Sequence, residues 1–247
     1  MDLKEARELD GVDPLDHWYY VSKSYPLFRE FEGALSENQG RPIPIADVGA
    51  GDGIFTRALI RRFPGAVSHA TLIDSGYASE ETSLVDGVAA SRVRDLPSRF
   101  DARLILLMDV LEHIERDSEF LQQVVSSAAS ETRFFITVPA FRLLWSKHDE
   151  YLGHFRRYRL KELASLCRGA GLVLDARFYF FATIFPAVLA LRAVSFGDGT
   201  RSDMRPAHPA VNALLKKLLF AESLWCRANR VLGVSAVVSA RSAPRAQ

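Results

Sequence analysis

The feature that most constrains the fold is a series of short apolar runs that alternate with stretches of helical spacing. Three of these runs are IPIADV at 43–48, LILLM at 104–108 and FFITV at 134–138. Continuous apolar runs are typical of strands that are buried on both faces of a parallel sheet. Further strands are predicted at 70–74, 87–93, 172–180 and 233–240, and helices at 54–63, 110–129 and 160–171. The pattern therefore predicts a doubly wound α/β sheet.

Two segments extend this core. Residues 1–40 form a helical lead-in before the core at 41–181, and residues 182–231 separate the last two strands, so that 232–247 completes the sheet. Seven Arg or Lys against three acids give the 182–231 insertion a charge of +4, whereas all 247 residues together carry +1. The near-neutral total argues against nucleic-acid binding, which relies on many contacts between cations and phosphates.

The remaining compositional signals predict a cytoplasmic protein. The two cysteines have no CxxC spacing, so we expect neither a disulfide framework nor a zinc site. The charged N-terminus does not resemble a signal peptide. The longest uncharged run, 178–191, has fourteen residues, whereas a membrane-spanning helix needs about 20.

A glycine-rich loop, DVGAGDG at 47–53, follows the first strand and opens a helix. Glycines let the backbone turn tightly and approach a ligand, and Asp74, at the end of the next strand, can hold the hydroxyls of a ribose. The spacing is not the GxGxxG of dinucleotide-binding proteins, and the carboxylates of Asp47 and Asp52 would repel a pyrophosphate. They suit a cofactor with an amino group and a sulfonium, which indicates S-adenosylmethionine (SAM).

DVGAGDG, ATLID, LILLMDVLEHI and FFITVP, in this order, resemble the class I SAM-dependent methyltransferases over 43–181 and 233–240. The resemblance implies a Rossmann-like sheet of seven strands, mostly parallel with an antiparallel last strand. It also implies a set of cofactor-binding residues. Gly49, Ala50 and Gly51 would approach the methionine part of SAM, Asp47 its amino group and Asp74 the ribose; Val93 and Asp95 would flank the adenine, and Met108 and Asp109 would face the methionine part. Arg92 departs from the family, because an acid commonly pairs with the adenine amino group at that position.

The loop after the fourth apolar run carries the candidate acceptor-side residues. Its HDxxxGHxRRY pattern at 148–158 resembles a motif of one subgroup of these methyltransferases. His148 or His154 is a candidate general base with Asp149 beside it, and Arg156 and Arg157 are candidates to bind a carboxylate or phosphate. Trp145, Tyr158 and Tyr20 complete the predicted acceptor-binding set. In the alternative interpretation, Asp149 and Glu150 only pair with Arg156 and Arg157 and hold the loop together.

A metal site is the less favoured hypothesis. The ubiquinone-pathway O-methyltransferases and the small-RNA 3′-end methyltransferases hold a divalent ion with an ExxEH cluster and a later His. The corresponding set here is Asp109, Glu112, His113 and His154, with Asp in place of the first Glu. Because an EH pair at this place is common in class I enzymes that bind no metal, we expect no divalent cation.

The two additional segments are expected to close over the site. Trp18, Tyr19 and Tyr20 are candidates for a lid over the cofactor or for core packing. The basic, amphipathic 182–231 insertion suits a helical cap, a homodimer interface or contact with a membrane surface. We expect a SAM-dependent methyltransferase that acts at oxygen or nitrogen of a small-molecule or lipid-like acceptor. An NAD-dependent oxidoreductase and a non-catalytic partner protein with the same fold remain as alternatives.

Overall fold

The computed structural model describes residues 13–99, 101–194 and 207–244. Its centre is an eight-stranded sheet in the order β3-β4-β2-β1-β5-β6-β8-β7. The strands are β1 (Ile43–Val48), β2 (Val67–Ile73), β3 (Glu81–Val85), β4 (Val88–Val93), β5 (Leu104–Met108), β6 (Arg133–Pro139), β7 (Leu172–Phe180) and β8 (Ser235–Ser242). The helices are α1 (Trp18–Glu37), α2 (Ile54–Arg62), α3 (Asp117–Ser127), α4 (Lys147–Leu152), α5 (Leu160–Gly169), α6 (Phe185–Val194) and α7 (Pro209–Ser223).

The sheet confirms the predicted α/β class and corrects the strand count. Strands β4, β2, β1, β5 and β6 run parallel, and β8 is antiparallel to both β6 and β7. The eighth strand is β3, which pairs antiparallel with β4 across a turn at Asp86 and Gly87. Both turn residues have positive φ, as a two-residue hairpin turn requires. Because β3 is an exposed edge strand, it lacks the continuous apolar run of the buried strands.

The helix predicted at 110–129 begins later than expected. The chain leaves β5 through Asp109, whose φ is +57°, and a short 3₁₀ turn at Leu111–His113 precedes α3. This detour brings Val110 against the glycine loop, where the Val110 side chain would lie 2.5 Å from a Cβ placed on Gly49. Contact with the glycine loop therefore replaces the first turns of the predicted helix.

The core has two layers, one on each face of the sheet. Helices α1, α2 and α7 cover one face through Phe31, Leu59 and Leu219, and α3 and α5 cover the other through Leu121 and Leu163. None of the helices in the described part of the chain has the length and apolar composition needed to cross a bilayer. The predictions for residues 1–12, 195–206 and 245–247, including four charges of the insertion (Asp198, Arg201, Asp203 and Arg205), lie outside the described residues.

Candidate active site

A cavity of about 420 Å³ lies at the carboxyl ends of β1, β2, β4 and β5. This edge is where open parallel sheets bind their ligands. Residues from the loops after all four strands form the wall: Val48, Gly49, Ile73, Asp74, Ser75, Gly76, Arg94, Leu96, Asp109, Val110, His113, Ile114 and Phe120. The predicted cofactor residues Gly49, Asp74 and Asp109 therefore meet in one cavity, 25 to 60 residues apart in sequence.

The glycine loop is built from left-handed backbone. Gly49, Gly51 and Gly53 have φ values of +71°, +55° and +74°, which side chains with a Cβ rarely adopt. The Asp74 carboxylate accepts hydrogen bonds from the amides of Gly51 and Gly76, each at 2.8 Å. One lone pair on each of its oxygens remains for a further donor, such as a ribose hydroxyl.

The other predicted cofactor residues lie behind or beside this wall. Ala50, Gly51 and Met108 are buried, and Asp95 is exposed next to the lining residues Arg94 and Leu96. Half-buried Val93 ends β4. Arg92, which departs from the family pattern, forms an ion pair with Glu81 of β3 at 2.5 Å. The partner of Arg92 was not foreseen because β3, the strand that carries Glu81, was not predicted from the sequence.

Asp47 lies beneath the glycine loop with only 1% of its surface exposed. Its carboxylate accepts a hydrogen bond from the Thr56 hydroxyl at 2.9 Å. Burial raises the pKa of Asp47 to about 6, although the Thr56 hydrogen bond opposes the rise. A cation close to this carboxylate would favour its charged form.

Asp109 connects the cavity to the N-terminal helix. Its carboxylate accepts a hydrogen bond from Thr137 at 3.0 Å, lies 3.4 Å from the Tyr19 hydroxyl, and forms an ion pair with Lys23. Burial alone would raise the pKa of Asp109, but the Lys23 ammonium holds it below its usual value. These contacts fix helix α1 beside Asp109, which lines the cavity; the role of the lead-in as a lid stays a prediction.

Lys23 is a site residue that the sequence analysis missed. Its side chain is 2% exposed and also donates to the Tyr19 hydroxyl at 3.1 Å. A signal was available, because Lys23 is the single charged residue in the aromatic stretch 18–28. Buried lysines are rare unless they are paired.

His154, Asp149 and Arg157 form a chain of short contacts in the acceptor-side loop. His154 Nδ1 lies 2.8 Å from Asp149 Oδ1, and Arg157 Nε donates to the same oxygen at 2.7 Å. Asp149 is fully buried; burial alone would raise its pKa, but its hydrogen bonds with His154, Arg157 and the Ser146 amide hold it far below its usual range. A permanently ionised carboxylate orients His154 and favours a proton on Nδ1.

Only part of the predicted ion pairing within this loop is present. Arg157 pairs with Asp149, but Arg156 pairs with Asp117 at the start of α3, at 3.1 Å. Glu150 is exposed on α4. His148 lies in the first turn of α4, where its amide donates to Ser146 Oγ at 3.2 Å. Of the two histidines, His154 is the one that Asp149 orients.

Glu112, His113 and His154 form a cluster whose ligand atoms lie within 4.8 Å of one another. The rings of His113 and His154 meet edge to face, with centroids 4.5 Å apart. Both oxygens of Glu112 are buried without a hydrogen-bond partner among the described residues, and burial together with the Asp109 charge raises its pKa well above the usual value. These three residues offer donor atoms suited to a divalent cation. Asp109, the fourth member of the predicted set, lies outside the cluster because its carboxylate pairs with Lys23.

A second cavity of about 720 Å³ lies on the acceptor-side loop and α5. It is lined by three aromatic residues, four arginines, one leucine and one acid: Phe141, Trp145, Phe155, Arg142, Arg156, Arg157, Arg159, Leu143 and Glu162. The predicted acceptor residues Trp145, Arg156 and Arg157 are therefore brought together. Tyr158 is buried, with its hydroxyl 2.7 Å from Asp117 Oδ2, and Tyr20 packs in the core against Phe55. Neither tyrosine lines either of these two cavities.

Comparisons with known proteins agree with this architecture. A solved complex of the plantazolicin methyltransferase BpumL with a monoazolic desmethylPZN analog and S-adenosylhomocysteine (SAH) is 13% identical, with a TM-score of 0.53 over 93% of this chain and 86% of that one. The [4+2]-cyclase SpnF is 14% identical, with a TM-score of 0.51 over 88% of this chain and 81% of that one. At such identities the likeness shows a shared fold, and the name of SpnF illustrates that one fold serves different reactions.

Sequence comparison gives the family. No curated protein matches the chain. A family model described as a methyltransferase domain matches residues 18–176, which include α1, the glycine loop, the 420 Å³ cavity and the acceptor-side loop. The match covers more than half of the chain. The chain therefore belongs to the methyltransferase domain family.

Proposed function

We propose that this protein is a SAM-dependent methyltransferase that transfers the methyl group directly to an oxygen or nitrogen of a small-molecule or lipid-like acceptor. The observation that carries the proposal is a continuous path of side chains between the two cavities. His113, in the wall of the first cavity, contacts His154, which bonds to Asp149, which bonds to Arg157 in the wall of the second. A proton acceptor thus stands between a nucleotide-type site and a separate cavity.

The 420 Å³ cavity fits SAM by the chemistry of its wall. In this proposal Asp74 takes the ribose hydroxyls, and the absence of a side chain on Gly49 lets the ligand approach the backbone. Arg94, Leu96, Ile114 and Phe120 supply apolar and stacking surface for an adenine. Asp47 adds negative charge near the cationic part, Asp109 adds carboxylate oxygens that are paired with Lys23, and bound SAM would supply an electrophilic methyl group on its sulfonium.

His154 has the arrangement of a general base. Because Nδ1 faces the Asp149 carboxylate, Nε2 is the nitrogen that can accept the proton of an acceptor O–H or N–H. Bound SAM would supply the methyl group and would leave as the neutral thioether SAH, and His154 would hold the proton that the acceptor atom gives up. Asp149 stabilises the resulting imidazolium, and Arg157 keeps Asp149 in place.

The 720 Å³ cavity is the proposed binding site for the body of the acceptor, and direct transfer requires the reacting atom to extend from there to the methyl group at the 420 Å³ cavity. Its aromatic side chains suit a planar or apolar body, and Arg142 and Arg159, which make no ion pair among the described residues, suit an anionic group. Arg156 and Arg157 contribute charge but are already paired with Asp117 and Asp149. The proposed step uses no metal. A cation held by Glu112, His113 and His154 would coordinate the His154 nitrogen that has to accept the proton.

The two alternative functions fit the site less well. An NAD-dependent oxidoreductase would place a pyrophosphate near Asp47 and Asp52, and these carboxylates would repel it. A non-catalytic partner protein would not require the Asp149–His154 pair beside a formed cavity.

Titration calorimetry with SAH and with NAD tests the proposal. We expect SAH to bind and NAD not to bind. Asp74→Ala should weaken SAH binding by at least about tenfold, since two charge-assisted hydrogen bonds are lost. Asp101→Ala, which removes an exposed carboxylate at the opposite end of β5, is the matched control and should bind like the wild type. Binding of NAD without SAH would overturn the cofactor assignment, and unchanged affinity in Asp74→Ala would overturn the ribose contact.

A further inference from the structure

Helix α7 has the reverse of the usual amphipathic arrangement. A surface helix normally turns apolar side chains inward and polar ones to solvent. In α7, Asn212 accepts a hydrogen bond from the Trp18 amide at 2.7 Å, Lys216 pairs with Asp16 at 2.6 Å, and Glu222 is buried. Three polar side chains of this helix therefore face the protein, alongside the buried Leu219, whereas Lys217 is exposed.

The outward face of α7 is apolar. Leu214 is 65% exposed, Leu218 41%, and Val211 is exposed one turn before them. The exposed side chains of Leu224 and Trp225 follow directly after the helix. Single exposed apolar residues are ordinary, but a row of them at helical spacing is typical of an interaction surface.

This orientation is fixed by polar contacts, so the exposed leucines cannot simply turn inward. Glu222 accepts hydrogen bonds from the amides of Ala182 and Thr183 at 2.7 and 2.9 Å. Rotating the helix would turn Lys216 and Asn212 away from Asp16 and Trp18, and it would remove the Glu222 carboxylate from the amides of Ala182 and Thr183. The apolar face is thus a stable property of the fold.

Cations outnumber acids in the segment that carries this face, although Lys216 pairs with the exposed Asp16 and Arg227 with the buried Glu30. Residues 207–231 contain four cations, Lys216, Lys217, Arg227 and Arg230, and a single acid, Glu222. That acid is 1% exposed, so the solvent-exposed charge of the segment is entirely positive. A second copy of the chain packed on this face about a twofold axis would bring the remaining cations, Lys217 and Arg230, close to their counterparts. An anionic bilayer offers both a partner for the cations and an apolar phase for the leucines.

We propose that the outward face of α7, formed by Val211, Leu214, Leu218, Leu224 and Trp225, docks on the surface of an anionic membrane. The helix would lie in the plane of the interface, with its leucines in the acyl boundary and Lys217 and Arg230 at the headgroups. This proposal is independent of the reaction at the active site.

Vesicle co-sedimentation tests it with the full chain. We expect binding to phosphatidylcholine vesicles that contain phosphatidylglycerol, little binding to phosphatidylcholine alone, and weaker binding at high salt. Leu214→Ser with Leu218→Ser should lower the partition coefficient by more than about tenfold, and Lys217→Glu by a few fold. Leu84→Ser, at a comparably exposed leucine on β3, is the control and should bind like the wild type.

Tryptophan fluorescence provides a second readout at the face itself. Trp225 is 49% exposed, so its emission should shift to shorter wavelength on vesicles, and Trp225→Phe should remove that shift. Failure to bind anionic vesicles would overturn the proposal. A concentration-dependent dimer in sedimentation velocity that the two leucine substitutions abolish would also overturn it, because it would assign the face to a second copy.

Discussion

His154 has one ring nitrogen bonded to a buried carboxylate, which is the arrangement that distinguishes a base from a packing residue. His154→Ala should lower kcat by about 10²–10⁴, the usual contribution of general base catalysis, and leave SAH affinity unchanged. His208→Ala, at an exposed histidine before α7, serves as the control. Turnover of His154→Ala close to the wild type, measured with any accepted substrate, would assign His154 a structural role.

The buried, ionised carboxylate of Asp47 lowers the free energy of unfolding. Its pKa is about 6 in the folded protein and about 4 when unfolded, so the folded state binds the proton more tightly. Stability is therefore lost as pH rises from about 4 to 6, and the full penalty applies above that range. Asp47→Asn, which preserves the acceptor for Thr56, should raise the free energy of unfolding at pH 7.5 by up to about 3 kcal/mol.

The same substitution separates stability from cofactor binding. The gain should disappear near pH 4, and SAH affinity should fall because the cation-facing carboxylate is gone. Urea unfolding of the ligand-free protein at several pH values measures the first effect, and calorimetry measures the second. A stability gain that does not depend on pH would contradict the burial argument.

The convergence of single residues was predictable where their motif is local, although their roles stay predictions. Gly49, Asp74 and Asp109 follow from short patterns at strand ends and His154 from the acceptor-side loop, and the fold brings them to one edge of the sheet. Lys23 meets Asp109 across 86 residues of sequence, and Glu112 is unusual because nothing described pairs with it. Sequence spacing cannot predict a partner as distant as that of Lys23, nor the lack of a described partner for Glu112. Both properties could be recognised only in the structure.

Buried strands were found from the sequence, but burial alone did not fix their bounds. Strands β1, β5 and β7 begin and end at the expected residues, whereas the largely buried β8 begins and ends two residues later than predicted. Strand β3 is exposed on one edge and was missed, although the Asp86-Gly87 pair is a typical hairpin signal. The start of α3 was misplaced because a tertiary contact of Val110 with Gly49 replaces the local helical preference.

Helix α7 shows a further limit at this scale. The valine and leucines at 211–219 have the spacing of an amphipathic helix, but this spacing does not show which face of the helix is buried. Hydrogen bonds of Asn212 and Glu222 with distant residues decide that the polar face is the inner one. The sequence left cap, dimer and membrane contact open for this reason.

At the scale of the whole molecule, one buried carboxylate joins three parts of the chain. Glu30 of α1 is fully buried and pairs with Arg133 of β6 and with Arg227 in the 3₁₀ turn after α7. The lead-in helix, the sheet and the insertion therefore share a single charge cluster. Arg133 also pairs with the more exposed Glu37.

Replacing this carboxylate should destabilise the protein as one unit. Glu30→Gln leaves Arg227 without a partner and Arg133 only partly compensated, and breaking a buried pair in this way costs about 3–5 kcal/mol. Glu37→Gln removes a half-exposed partner of the same arginine and should cost less than about 1 kcal/mol. Urea unfolding followed by far-ultraviolet circular dichroism should show one transition for both variants, shifted far more in Glu30→Gln. Two separate transitions would mean that the insertion unfolds on its own, and equal shifts would show that burial of Glu30 adds nothing to the ion pair.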